Sequence, residues 1–255
     1  MFRGRVILRV ALPVAAALYA LGCVVTAAAA ASERNGDPIE PVNRGIFWFN
    51  EQVDDYVMVP VAKGWKWVTP AVVRKSVSNF FQNLRFPIDT ANNLLQGKLA
   101  RTGSSVARFA VNTTVGGLGL FDPATGWGLE RYTEDFGQTL GYWGVPPGPY
   151  LVLPFLGPSN PRDGVGLAAD GFSTVYPWFI AFYYASGATA VNFVNARAGV
   201  LTEVEELRRA SLDYYVAVRN AYMQHRENEV NDRTGMSEQE QRDLYTIPAN
   251  GDEGE

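Results

Sequence analysis

The stretch DPIEPVNRGIFWFNEQVDDY, at residues 37–56, carries the clearest helix signal in the chain. Asp37 precedes a proline and Glu40 stands three positions on, which is typical of a capping box at a helix start. The apolar residues then recur at intervals of four and three, as on one face of a helix: Val42, Ile46, Phe49, Val53 and Tyr56. Because Phe47 and Trp48 lie off that face, we expect this helix to be deeply buried or in contact with lipid.

The same periodicity predicts further helices along the chain. They begin at Thr69 and Pro70, near Asn92, at about Thr102, and at Thr202, where Glu205 completes a second capping box. The first of these should break at Phe86 and Pro87, and the second should stop at Gly97. No stretch alternates between apolar and polar residues with a period of two, so the sequence predicts an all-α fold.

The composition excludes several classes of function. The 255 residues contain one Cys and one His, so neither a zinc site nor a disulfide scaffold is expected. The pI of about 5.2 argues against a nucleic-acid binder. Aromatic residues reach 13% while charged residues stop at 19%, and a chain this apolar is not a disordered one.

The two ends of the chain resemble a targeting segment and a solvated tail. Arg3, Arg5 and Arg9 precede an apolar run, which is the pattern of a secretory signal peptide. The sequence ALGC at residues 20–23 resembles a bacterial lipobox, in which Cys23 is lipidated after residues 1–22 are removed. The alternative is ordinary cleavage that removes residues 1–31 together with Cys23. Residues 231–255 are rich in acids and poor in apolar side chains, which predicts a disordered acidic tail.

Two segments of the body, residues 136–161 and 171–196, contain no charged residue. The first is dense in Gly, Pro and aromatic residues, and the second centres on the aromatic run at residues 175–184. Tyr and Trp combine an apolar body with a polar tip, which suits a membrane–water interface. A buried core helix is the alternative for the second segment, and composition alone leaves both open.

The sequence offers little catalytic chemistry. His225 lies in a charged stretch and is expected to be a solvated surface residue, and no Gly-x-Ser-x-Gly motif is present. Acids that could pair in a hydrolase are Asp122, Glu134, Asp135, Asp163 and Asp170. Their neighbours favour structural roles, namely a turn at Asp122, helix capping at Glu134 and Asp135, and another turn at residues 162–164. We therefore predict no enzyme, no metal and no cofactor.

Taken together, six ordered segments resemble the MlaA (VacJ) family of outer-membrane lipoproteins. They are DPIEPVNRGIFWFN at 37–50, SNFFQNL at 78–84, RFAVNTTVGG at 108–117, FDPA at 121–124, EDFGQTLG at 134–141 and GPYLVLP at 148–154. The resemblance covers the chain from Asp37 to about residues 163–166, with a weaker likeness up to the last helix. Six matches in order are far more specific than any one of them.

The resemblance implies a fold and a function. The fold is a ring-shaped helical bundle over residues 37–230, which lies in the inner leaflet of the outer membrane, with Gly/Pro-rich loops and a central amphipathic channel. Such proteins remove mislocalised phospholipids from the outer leaflet and pass them to a soluble periplasmic lipid carrier. They associate with trimeric porins and use no cofactor.

Two groups of residues match family features. The glycine-rich segment matches a hairpin beside the channel and is expected to be a mobile gate, with a plain surface turn as the alternative: Gly116, Gly117, Leu118, Gly119, Phe121 and Asp122. The first helix is expected to help hold the closed arrangement of the channel through Asn43, Arg44, Phe47 and Phe49. Two other functions remain open: an envelope lipoprotein that scaffolds porins without handling lipid, and a periplasmic hydrolase that uses a pair of the acids named above.

Overall fold

A computed structural model gives the fold and describes residues 37–174 and 182–233. Three predictions therefore concern residues outside the described ones. They are the signal peptide with Cys23, the part of the predicted acidic tail after residue 233, and residues 175–181 of the aromatic run. The start of that tail, residues 231–233, is described, and there Asp232 pairs with Lys98 at 2.6 Å, so the predicted disorder does not begin at residue 231.

The described chain is mainly helical, as the sequence predicts. The helices are α1 Glu40–Val53, α2 Val59–Val68, α3 Ala71–Leu84, α4 Phe86–Leu95, α5 Leu99–Thr114, α6 Pro123–Gly126, α7 Phe136–Tyr142, α8 Pro161–Ser173, α9 Phe182–Gly199, α10 Leu201–Ala210 and α11 Tyr214–Val230. A π-helical segment, Asp54–Met58, joins α1 to α2. A small antiparallel hairpin of β1 Leu151–Leu153 and β2 Gly157–Ser159, which the sequence did not predict, follows α7.

The predicted capping box at the first helix is wrong. The N-cap position of α1 is Ile39, and no side chain caps this end. Asp37 is buried instead, where it accepts hydrogen bonds from the Asn43 amide and from the Tyr215 hydroxyl. Its carboxylate therefore makes tertiary contacts and is not available to the α1 backbone.

The predicted last helix is in fact two helices. The N-cap of α10 is Val200, without a side-chain hydrogen bond, so the capping box at Thr202 and Glu205 does not form. Asp213 starts α11 by accepting a hydrogen bond from the Val216 N–H, and this cap separates α11 from α10. The prediction missed this second start.

Some of the other helix boundaries lie close to the predicted ones, but the helix predicted near Asn92 begins six residues earlier, at Phe86. Pro87 does end α3, but it also lies in the first turn of α4, where a proline is tolerated. Helix α4 stops before Gly97, which has φ +73°, as the C-terminal glycine rule predicts. The turn predicted at residues 162–164 is wrong, because these residues form the first turn of α8 behind an Asn160 cap.

Contacts between the elements close a circuit. Helix α1 contacts β1, β2 contacts α11, and α11 contacts α7, which packs on α4. From there α4 contacts α3, α3 contacts α9, and α9 contacts α2, which leads back to α1 through the π-helical segment. The elements thus form a ring of neighbours. An apolar cluster lies between α1, the hairpin and α11, around Tyr150, Val152 and Tyr215.

The distribution of polar and apolar residues is inverted relative to an ordinary soluble protein. Buried amides occur throughout the described chain, at Asn43, Asn83, Asn92, Asn93, Gln96, Asn112, Gln138, Asn160 and Asn195. Large apolar side chains are exposed, among them Trp48, Tyr56, Trp67, Val72, Leu99 and Phe172. On the apolar face predicted for α1, Val42, Phe49 and Tyr56 are exposed, so this face is not deeply buried and contact with lipid is the expectation that stays open. No helix in the described part of the chain is both long and apolar enough to cross a bilayer.

Candidate functional site: a polar cleft and its flanking segments

A cleft lies between α3, α4, α5 and the loop that follows α6, and we call it the polar cleft. It is lined by Gln82, Asn83, Phe86, Asp89, Ser105, Arg108, Phe109, Asn112, Arg131 and Tyr132. Helix α5 contributes Ser105, Arg108 and Asn112, whose spacing of three and four places them on one buried face. Phe86 stacks on Phe109, with ring centroids 4.2 Å apart. The cleft is therefore amphipathic, with amide and guanidinium groups beside an aromatic pair.

A second cavity, of about 380 Å³, adjoins the polar cleft and shares Arg131 and Tyr132 with it. Its inner wall carries buried Glu134, which accepts hydrogen bonds from the Lys98 ammonium at 3.0 Å and the Gln96 amide at 2.9 Å. Together the two cavities give a continuous polar lining from α3 to the end of α11.

Asp122 anchors the end of the glycine-rich segment in this cleft. Its carboxylate oxygens accept hydrogen bonds from Arg108 at 2.7 and 2.8 Å, from Asn112 at 2.9 Å and from Arg131 at 3.0 Å. Burial raises the pKa of Asp122, but hydrogen bonds from Thr125 and Asn112 and the charge of Arg108 outweigh it and lower the pKa to about 2. The carboxylate is thus firmly ionised and doubly paired.

The predicted gate residues form a tight turn beside the polar cleft. Gly117, Leu118 and Gly119 all have positive φ, at +60°, +59° and +89°. The turn is closed by the Phe121 N–H, which donates to the Gly116 carbonyl at 2.9 Å. A Cβ at Gly119 would lie 2.6 Å from Asn83 Cβ, so only glycine allows this close approach to α3.

The apolar side chains of this turn are exposed and are not among the residues that line the polar cleft. Leu118, Leu120 and Phe121 are all exposed. The structure therefore brings Gly119 and Asp122 to the polar cleft and leaves Leu118 and Phe121 exposed.

The predicted residues of α1 lie elsewhere, at the junction of α1, the hairpin and α11. Asn43, 1% exposed, donates to the Asp37 carboxylate at 2.8 Å and to the Tyr150 carbonyl at 2.9 Å, and accepts from the Val152 N–H at 3.0 Å. Arg44 forms an ion pair with Asp213 at 2.7 Å. Asn43 thus ties the start of α1 to the hairpin, and Arg44 ties it to the start of α11.

The two phenylalanines differ in their surroundings. Phe47 packs on the rings of Tyr214 and Tyr215, at centroid distances of 5.5 and 5.4 Å. Phe49 is more exposed and meets the Phe155 ring at 5.2 Å. Both contacts hold α1 against the hairpin and α11.

Sequence reasoning missed Asn50, which repeats the role of Asn43 two turns along the same helix. The Asn50 amide donates to the Leu153 carbonyl at 2.9 Å and accepts from the Phe155 N–H at 2.8 Å. Two asparagines seven residues apart on a helix share a face. This spacing is visible in the sequence and could have identified Asn50 as a partner of Asn43 in the same contact.

The acids considered for hydrolysis are engaged in structural contacts. Arg226 binds both Asp135 and Asp163, each at 2.8 Å, and its hydrogen bonds outweigh burial and lower the pKa of Asp163 to about 2. As predicted, Asp135 caps a helix, α7, whereas Asp122, predicted to start a turn, caps α6, and Glu134, predicted to cap, binds Lys98 and Gln96 instead. Asp170 accepts a hydrogen bond from the Phe136 N–H at 3.0 Å.

His225 is exposed, as predicted, with its Nε2 atom 3.3 Å from Glu229. Among residues 37–174 and 182–233, no three His, Cys, Asp or Glu side chains group as a metal site requires. The arrangement of the cleft offers polar and apolar surfaces side by side, and the described acids serve ion pairs and helix caps.

A helical ring with amides and guanidinium groups inside and aliphatic and aromatic groups outside defines a protein that contacts lipid. Comparison with known proteins specifies the family. The MlaA lipoprotein family model matches residues 35–229. The chain therefore belongs to the MlaA lipoprotein family, as the six sequence segments indicated.

Relatives and a solved structure agree with this assignment. The intermembrane phospholipid transport system lipoprotein MlaA of Escherichia coli K12 is 38% identical over 208 residues, which are 79% of this chain and 82% of the relative. The protein of the same name from Haemophilus influenzae is 35% identical over 206 residues, 79% and 81% of the two chains. A structure described as the "structural basis for maintenance of bacterial outer membrane lipid asymmetry" matches with a TM-score of 0.67 and 37% identity, over 76% of this chain and 99% of that one.

Proposed function

We propose that the protein removes mislocalised phospholipids from the outer leaflet of the Gram-negative outer membrane and maintains the lipid asymmetry of that membrane. Lipid moves along the amphipathic polar cleft, which serves as the channel of the ring, and passes to a soluble periplasmic lipid carrier. The protein lies on the periplasmic side of the outer membrane, next to trimeric porins. The names of the similar proteins support the transport of phospholipid between membranes.

The observation that carries this proposal is the inverted distribution of residues. Exposed aliphatic and aromatic side chains are stable in acyl chains, whereas a phospholipid headgroup needs polar partners along its path. The polar cleft supplies both kinds of surface, because Arg108 and Asn112 face it together with the Phe86 and Phe109 rings. The chemistry of this lining matches the charged head and apolar tails of a phospholipid, and the cleft, at about 30 Å³ in this structure, has to widen for lipid to enter.

The gate and the closed-state helix belong to this proposal. The turn at residues 116–122 controls access to the channel, since Asp122 connects it to Arg108 and Arg131 in the lining. Helix α1 holds the closed arrangement through Asn43, Arg44, Phe47 and Phe49, which fasten it to the hairpin and α11.

The proposal is tested by measuring outer-leaflet phospholipid, by surface-restricted labelling, in cells with and without this protein. We expect the label to rise on deletion and to return to normal on complementation. The matched variants are Gly119→Ala, which strains the turn against Asn83, and Gly117→Ala, which meets open space. Unchanged labelling with mislocalised porins would contradict the proposal and favour the scaffold function.

A further inference from the structure

The Asp122 carboxylate occupies a set of hydrogen-bond donors that converge from separate parts of the fold. Arg108 and Asn112 come from α5, Thr125 from α6, and Arg131 from the loop that follows α6. Among the described residues, Asp122 is the only carboxylate with which Arg108 or Arg131 forms an ion pair. The two guanidinium groups therefore share a single carboxylate, which the glycine-rich turn supplies.

This carboxylate leaves part of the donor set unused. Both oxygens of Asp122 accept from the same nitrogen of Arg108, Nη2, at 2.7 and 2.8 Å. Arg131 gives Asp122 only its Nη2, at 3.0 Å, while its Nη1 donates to Gln82 and its Nε makes no hydrogen bond with the described residues. A phosphate can accept from two nitrogens of one guanidinium, which is a stronger pairing than a single bond. A phosphate can therefore use the Nε donor that Asp122 leaves free.

Arg131 is also the part of this set that a ligand can reach while the polar cleft is narrow. It lines both the polar cleft and the adjoining cavity of about 380 Å³, and its side chain is 32% exposed. Arg108 and Asn112 line the polar cleft but not that cavity. A headgroup in the larger cavity thus meets Arg131 before the cleft has opened.

The acids of the larger cavity favour a headgroup that carries its own cation. They are Glu130, Glu134, Glu229 and Asp232. The last three form ion pairs with Lys98, Arg101 and Arg226. Glu130 forms no ion pair with a described residue and accepts a hydrogen bond from the Tyr132 hydroxyl. A zwitterionic headgroup, with an ammonium beside its phosphate, therefore suits this approach to Arg131 better than an anionic one.

The bonds of Asp122 also hold the polar cleft closed. Asp122 joins the turn at residues 116–122 to Arg108 on one side and to Arg131 on the other, and Arg131 in turn contacts Gln82 of α3. A ligand that replaces Asp122 on the two guanidinium groups removes the side-chain tie between the turn and the loop after α6.

We propose that Arg108, Asn112 and Arg131 form the phosphate site for a zwitterionic phospholipid, and that Asp122 occupies this site as an internal substitute in the closed state. The phosphate binds Arg131 first and then replaces Asp122 on Arg108, so the lipid itself releases the turn. The phosphodiester carries the same charge as the carboxylate it replaces, so the buried Arg108 always has an anionic partner. The inference rests on the proposed function, because it names the headgroup site and the opening step of that channel.

The first test measures binding of dihexanoylphosphatidylcholine, below its micellar concentration, to the purified full-length protein in a non-ionic detergent. Asp122→Asn removes the competing charge and keeps an oxygen that can cap α6. Because a charge-assisted hydrogen bond corresponds to roughly tenfold in affinity or more, we expect this variant to bind the probe roughly tenfold more tightly than the wild-type protein. Adding Arg131→Gln should remove the gain.

Asp54→Asn is the matched control. Asp54 is also bound by an arginine, Arg197, through two hydrogen bonds, and its side chain is 20% exposed against 16% for Asp122. It lies outside the lining of both cavities, so this variant should bind the probe like the wild-type protein. Circular dichroism checks that all variants are folded.

The second test needs no variant. In the wild-type protein the N–H groups of Gly119 and Phe121 are hydrogen-bonded to the carbonyls of Asn112 and Gly116. If the lipid releases the turn, the probe should speed amide hydrogen exchange at these two residues roughly tenfold, and the phosphate-free detergent alone should not.

Four results would overturn the proposal. They are an unchanged affinity in Asp122→Asn, an equal gain in Asp54→Asn, a gain that survives Arg131→Gln, and unchanged exchange in the wild-type protein. Inorganic phosphate that binds as tightly as the probe would show a site for the free anion and would also contradict it. Lipid clearance is measured separately in cells: if clearance fails while these results hold, only the proposed function is wrong, and in the reverse case only the phosphate site is wrong.

Discussion

Asn43 is buried, and its side chain makes three hydrogen bonds that a single substitution removes. Its amide links α1 to Asp37, to the Tyr150 carbonyl and to the Val152 N–H. Asn43→Ala deletes all three hydrogen bonds. It also leaves a small buried void, because Asn43 is only 1% exposed. We expect a large loss of stability, because the partners stay buried.

The magnitude follows from the partners left unpaired. A buried donor or acceptor without a partner costs about 1–3 kcal/mol. Asp37 keeps its hydrogen bond from Tyr215, so the carbonyl of Tyr150 and the N–H of Val152 carry most of the loss. We expect about 3–5 kcal/mol, or a fall in Tm of roughly 10 °C for a domain of this size.

Asn50→Ala is the matched control. Asn50 binds the backbone of the same hairpin with the same amide geometry, but its site is only half-buried, so water replaces the lost bonds. We expect about 1 kcal/mol, or roughly 3 °C. Thermal unfolding followed by circular dichroism on the full-length protein measures both. Equal losses in the two variants, or an unchanged Tm for Asn43→Ala, would refute the reasoning from buried unpaired groups.

Three further predictions concern the gate, the closed state and pH. Deletion of Asn43 rotates the preceding residues by about 100° about the α1 axis and should alter outer-leaflet phospholipid at equal protein level, so an unchanged lipid distribution would contradict the closed-state role. Gly119→Ala places a Cβ 2.6 Å from Asn83 at a residue with φ +89°. It should lower Tm more than Gly117→Ala, which only strains the backbone at φ +60°. Equal shifts in Tm would argue that the contact with Asn83 does not matter. Burial raises the pKa of Asp89 to about 6, so the folded protein binds more protons than the unfolded chain and stability falls as pH rises from about 4 to about 6. In Asp89→Asn the free energy of unfolding, measured by urea titration, should depend less on pH between about 4 and about 6. The same pH dependence in the variant and the wild-type protein would contradict this prediction.

The sequence predicted where helices lie much better than which way they face. Periodicity located α1, α3 and α5 because apolar residues recur every three or four positions whichever side is buried. It placed Val42 on the apolar face of α1, which is exposed, whereas the neighbouring Asn43 is buried, and in α5 the charged Arg108 is buried. An amphipathic pattern shows that a helix has two unlike faces but not which of them is buried. That depends on whether water or lipid surrounds the protein.

Caps and turns were predictable only where the contacts are local. Asp122 and Asp135 accept hydrogen bonds from N–H groups three residues away, which a short motif encodes. Asp37 has the same local sequence signal, but its carboxylate is taken by Tyr215, 178 residues along the chain. A local sequence pattern cannot show that a distant hydroxyl takes the carboxylate in place of the helix backbone. The capping box was therefore predicted and did not form.

The positions of polar side chains in α1 and α5 therefore carry more information about the fold than the apolar stripes do. A buried asparagine must find donors and acceptors, and those it finds fix the orientation of the helix: the hairpin for Asn43, and the Ala124 N–H with the Asp122 carboxylate for Asn112. The apolar surface of a lipid-facing helix imposes no such direction, because acyl chains accept any rotation about its axis. In this ring the amides specify how the helices fit together, and the aliphatic and aromatic residues specify where the assembled ring resides.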